Sequence, residues 1–147
     1  MLDLRFWQKI NANVVARYRK AIFDPAGGGS GAKDVFGKPY PAYKSSYSVA
    51  KRTGKIKRQD EKFKGSTAPV LTGDLYKDFQ LRKTGSSGFS FGTVAWGSTT
   101  KFLERNKRFI ATEKKALPDK VATYIMDQAD KYVKKELGKI KGRTFNI

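Results

Sequence analysis

Two amphipathic helical patterns, one at each end of the chain, enclose a single stretch of apolar–polar alternation, and that order limits the fold more than any other feature. Near the N-terminus Leu4, Trp7, Ile10, Val14, Tyr18 and Ala21 recur at three- and four-residue steps, which predicts a helix over residues 3–23 with Asp3 as its N-cap. Phe6 and Val15 widen its apolar face beyond one stripe. Pro25 ends it, because the residue before a proline is pushed out of the α region. Near the C-terminus Leu117-Pro118-Asp119 opens a second helix, whose stripe is Val121, Tyr124, Ile125, Gln128, Tyr132, Val133 and Leu137. Gly138 is its expected stop, so the helix covers 119–138 and spans about 30 Å.

Between the helices, strands are expected within residues 70–97. Phe79 and Leu81 alternate with Asp78, Gln80 and Arg82; residues 84–88 supply a turn; Phe89, Phe91, Thr93 and Ala95 alternate with Ser90, Gly92, Val94 and Trp96. This is an antiparallel hairpin, with Gly92 as an expected bulge or close backbone approach. A two-stranded hairpin is marginal alone, so helices must cover it or strands of other copies must extend it. The fold class is therefore α+β: an N-terminal amphipathic helix, an antiparallel sheet built on a central β-hairpin, and a long C-terminal helix packed on the sheet, all in one domain, 1–147.

Two segments interrupt this plan. Residues 25–31, PAGGGSG, have almost no side chain to bury and read as a flexible hinge, leaving the first helix free to dock on its own domain or on another copy. Residues 33–68 read as a basic, largely irregular arm with a helical turn around Tyr43 to Ala50, in which lysines and arginines interleave with Tyr40, Tyr43, Tyr47 and Phe63.

The arm is part of a wider imbalance. Lys and Arg number 31 against 13 Asp and Glu, a formal net charge of +18, so a compact copy repels itself and calls for an anionic partner. There is neither His nor Cys, which removes thiolate nucleophiles, imidazole proton shuttles, disulfides and zinc sites. No cofactor or metal is expected. The carboxylates are scattered, and an enzyme using acids such as Asp74 and Asp78 is the least supported reading. No apolar run approaches the roughly 20 residues of a membrane span, and Asp3 and Arg5 stand where a signal peptide would be apolar, so no membrane association is expected.

The order of parts resembles a family. An amphipathic N-terminal helix, a Gly-rich break, Asp34-x-Phe36-Gly37, then Leu71-Thr72-Gly73-Asp74-Leu75, a hairpin ending in Ala95-Trp96-Gly97, Arg108-Phe109-Ile110 and a Leu-Pro-initiated final helix look like the virion-morphogenesis or tail-completion proteins of tailed bacteriophages. The resemblance covers most of the chain. It implies a small α+β protein, made in the host cytoplasm, that forms a ring at the head–tail junction of the virion as a neck component or tail terminator. Its implied partners are like copies and the neighbouring neck, portal or tail-tube proteins, with DNA in the channel. By the same resemblance Gly73 allows a turn, Leu75 and Trp96 pack the sheet, and Pro118 starts the closing helix. No catalytic residue is implied. The unusually basic arm departs from the pattern.

Two sets of contact residues follow. Phe6, Trp7, Tyr18, Phe102, Phe145 and Ile147 are candidates for contacts with copies or partners, the alternative being ordinary core burial. Lys51, Arg52, Lys55, Lys57 and Arg58 are candidates for nucleic-acid phosphates or an acidic partner, the alternative being a solvated loop.

Overall fold

Helix α1 runs Leu4–Phe23 in the computed structural model, which describes residues 2–56, 59, 61–69, 77–93, 103–110, 114–115 and 117–142, with the backbone alone for 79–83 and 91–93. Asp3 caps it as expected, accepting from the Phe6 N–H at 3.1 Å. That hydrogen bond holds the Asp3 carboxyl below its ordinary range. The apolar face is as wide as Phe6 and Val15 imply: Phe6, Ile10, Val14, Val15, Tyr18, Ile22 and Phe23 are buried, while Leu4 faces solvent. The helix ends at Asp24, which takes a left-handed conformation with φ 44° and passes its N–H to the carbonyls of Arg19 and Lys20.

Hydrogen bonds tie residues 25–31 back to the end of α1, where a flexible hinge is expected. Asp24 accepts from the Gly31 N–H at 2.8 Å, Gly29 N–H reaches back to the Asp24 carbonyl at 2.9 Å, and Lys33 N–H returns the chain to α1 at Ala21. Gly29 sits at φ +83°, and a Cβ there would lie 2.2 Å from Ser66 Oγ. The glycines are needed for close approach of two chain segments, a use that composition does not separate from flexibility.

Residues 33–68 are where a basic, largely irregular arm with a helical turn around Tyr43 to Ala50 is expected. They hold helix α2, Ser45–Thr53, and a 3-10 turn at Glu61–Phe63, and their described part buries Val35, Tyr40, Phe63 and Ala68 in the same core as α1. Asp34 closes a tight turn by accepting from Phe36 and Lys38 N–H at 2.9 and 2.8 Å, with Gly37 at φ +78°.

Strands β1, Phe79–Gly85, and β2, Gly88–Thr93, pair antiparallel through a two-residue turn, with Leu81 opposite Phe91 and Gly85 opposite Gly88. The register slips between Leu81 and Lys83, so the irregularity lies on β1 and not at Gly92. The sheet packs on α1, where Asn11 Nδ2 donates to Thr84 Oγ1 at 3.1 Å and Trp7 lies 5.9 Å from the Phe89 ring.

The final helix, α3, runs Asp119–Lys141 and passes through Gly138, three residues beyond the expected stop. Phe6 lies 5.2 Å from Tyr132 and Arg17 stacks 4.0 Å above Tyr124, so positions advance along α1 as they recede along α3 and the two helices run antiparallel. The architecture is α+β: an N-terminal helix, a two-strand antiparallel sheet among the described residues, and a long C-terminal helix against the N-terminal one. Among the described residues no helix is long and apolar enough to cross a membrane.

Candidate functional site

The expected contact residues divide three ways. Phe6 and Tyr18 are fully buried and belong to the core of one chain; Tyr18 donates its hydroxyl to the Ile110 carbonyl inside it. They are not available to a partner, because α1 turns its widest apolar face inward. Trp7 is half-buried between Phe6, at 4.8 Å, and Phe89, and its buried Nε1–H has no hydrogen-bond partner among the described residues. Phe102, Phe145, Ile147, Lys57 and Arg58 lie outside the described residues, as do Gly73, Leu75 and Trp96.

Of the basic segment, Arg52 and Lys55 face solvent, but Lys51 is only 1% exposed. Its phosphate contact is therefore corrected: the ammonium is spent inside the fold. Nζ donates to the carbonyls of Ser66 at 2.6 Å and Ala68 at 3.0 Å, and lies 4.8 Å from the centre of the Tyr43 ring. Arg108, 5% exposed, lies against the same ring at 3.8 Å and donates to the Pro41 carbonyl at 2.7 Å. Tyr43 in turn donates to the Ala68 carbonyl at 3.1 Å.

Two cations thus share one half-buried ring, and none of the ion pairs among the described residues includes either of them. Carbonyl dipoles and the negative face of the ring take the place of a carboxylate. The arrangement is costly for charge: burial, with Arg108 nearby, pushes Lys51 down to about 8. Burial also raises the Tyr43 phenol, opposed in part by Arg108.

This cluster gives Arg108-Phe109-Ile110 a structural meaning. Arg108 holds the loop at Pro41 and Tyr43, the Phe109 carbonyl accepts from Val35 N–H at 2.7 Å, and Ile110 accepts from Tyr18. Phe109 also meets Phe36 edge-on at 5.6 Å. The Asp34-x-Phe36-Gly37 turn and the Arg-Phe-Ile triplet are one unit that ties α1, the turn and the 41–68 loop together.

Two surfaces stand out among the described residues. On α3 the single expected stripe splits: Val121, Tyr124, Ile125 and Tyr132 face the core, whereas Val133 and Leu137 are 37% and 52% exposed. Met126, at 70%, and Ile140, at 50%, join them, and the steps 126, 133, 137 and 140 line one face of the helix. The second surface is the crevice between α1 and α3, a cleft of about 350 Å³. Arg5 and Lys9 form one bank, Lys131, Lys135 and Lys139 the other, and Glu136 is its only carboxylate. Neither surface was singled out by sequence, although the one-turn spacing of these cations on each helix was there to be read.

Comparison with known protein families, with characterised proteins and with solved structures finds no match to this chain.

Proposed function

We propose that this protein is a non-catalytic structural component of a tailed-bacteriophage virion, of the neck, tail-completion or tail-terminator type, which assembles as a ring at the head–tail junction and joins capsid to tail. Two things support the reading: the family resemblance of the sequence and the exposed stripe of α3. The stripe carries more weight. Met126, Val133, Leu137 and Ile140 leave four large apolar side chains in water along one face of a single helix, and such faces are where copies or partners dock. A neighbour that meets the stripe with a different patch makes a heterologous contact, which closes into a ring when its rotation permits.

Sedimentation velocity and native mass spectrometry over a range of concentration test this. Wild type forms a closed oligomer of one stoichiometry; Val133→Asp with Leu137→Asp keeps the circular-dichroism melt of the single chain and remains monomeric. A wild type that stays monomeric at high concentration and high salt, where charge repulsion is screened, overturns the assembly reading.

A further inference from the structure

The α1–α3 crevice is a cationic cleft with a closed floor, and that combination selects its occupant. Its banks repeat at one helical turn, Arg5 to Lys9 on α1 and Lys131 to Lys135 to Lys139 on α3, which spaces the charges by about 6 Å along each helix. Only Lys139 is paired, to Glu136 at 2.7 Å; Arg5, Lys9, Lys131 and Lys135 enter no ion pair among the described residues. All five cationic side chains face solvent.

The floor decides between polyanions. Phe6 and Ile10 are buried and Tyr132 is half-buried, so little apolar surface is left for a partner to cover. An acidic amphipathic helix draws its affinity from apolar anchors, and the cleft offers it few. A single nucleic-acid strand relies on bases stacked on open aromatic faces, and these rings are closed or turned in. A duplex needs neither. Its backbone lies on the outside of the helix, and non-specific affinity comes from counterions released as each phosphate is neutralised. Four of the five cations are lysines, point charges that can each meet a phosphate without a fixed bidentate geometry.

We infer that the crevice between α1 and α3 binds the phosphate backbone of duplex DNA without sequence preference, through Arg5, Lys9, Lys131, Lys135 and Lys139. None of these residues belongs to the 51–58 segment, and the contact does not depend on ring assembly.

With a net charge of +18, binding by the whole surface must be separated from binding by this cleft. Fluorescence anisotropy with one labelled 20-base-pair duplex, across a salt series, compares two triple variants of equal charge loss. The cleft variant is Lys9→Gln, Lys131→Gln, Lys135→Gln; the other, on α2 and its flanks, is Lys44→Gln, Arg52→Gln, Lys55→Gln. The log–log salt slope of the cleft variant becomes shallower by about 3, near 0.9 for each contact removed, while the α2 variant keeps the wild-type slope. The same strand unpaired, and a polyglutamate of matched charge, bind more weakly than the duplex. Equal loss in both variants, preference for the single strand or for polyglutamate, or no retention of duplex at low salt each overturns the inference. The substituted lysines are exposed, and circular-dichroism melts establish that both variants are folded before binding is compared.

Discussion

The buried ammonium of Lys51 makes the stability of this protein rise with pH in a range where most proteins are past their best. Folded, the group loses its proton near pH 8; in the unfolded chain it does so near its ordinary 10.5. Between those values the unfolded state binds more protons than the folded one, so each step up in pH favours folding. Below about 8 both states are protonated, the slope vanishes, and the full penalty of burying charge is present. The difference corresponds to about 3 kcal/mol at most, and because Ser66, one of the two acceptors, is half-exposed, water screens part of it. A gain of about 1–2 kcal/mol between pH 7.5 and 9.5 remains. Above about 10 the sign reverses: burial raises the phenols of Tyr18 and Tyr40, so the unfolded chain ionises them first and stability falls. Urea unfolding followed by tryptophan fluorescence at the two pH values measures the gain. Comparison with Lys51→Met isolates it, since the two proteins differ in this group alone. The variant lacks this part of the gain over the window, whatever its absolute stability. Equal slopes in the two proteins refute the buried-cation account.

Two further substitutions probe the points where distant segments meet. Tyr18→Phe removes the hydroxyl that satisfies the Ile110 carbonyl in the core and costs about 1–2 kcal/mol by urea unfolding, with an unchanged m-value; a neutral result means that this carbonyl is satisfied in another way. Gly29→Ala puts a methyl group against Ser66 at a φ of +83° and costs more than about 2 kcal/mol. If residues 25–31 were a hinge, the same change would stiffen the unfolded chain and leave stability equal or higher.

What was legible in the sequence is what rests on local rules. Helix α1 has a capping aspartate, a 3.6-residue repeat and a proline after its end, and each acts within a few residues of where it stands. The hairpin was legible for the same reason, from its alternation and its glycine-rich turn. The misses are decided by parts of the chain far apart in sequence. The lysine at 51 is an ordinary surface residue to any local rule; it is buried because the carbonyls of Ser66 and Ala68 and the ring of Tyr43 converge on it. Residues 25–31 are rich in glycine because residues 62–68 pack against them, and composition alone reads that as looseness. On α3, periodicity identified apolar residues over nearly half the circumference. It could not say that α1 would cover one part and leave Val133 and Leu137 in water.

The two open surfaces of α3 bear on each other. At about 100° per residue, Lys131 and Lys135 lie on roughly the opposite side of the helix from Val133 and Leu137, so a neighbour on the stripe does not block the cleft. Copies joined through the stripe gather a net charge of +18 each, their clefts included, at a Coulombic cost that grows with each copy added. A polyanion in those clefts removes the cost, and by linkage whatever assembly does for polyanion affinity the polyanion does for assembly. Salt then separates the two contacts by sign. It screens repulsion and strengthens copy–copy contact through the apolar stripe, while it weakens every phosphate contact. An assembly that tightens with salt alone, but dissolves with salt when it has formed on duplex DNA, is what these two surfaces together require.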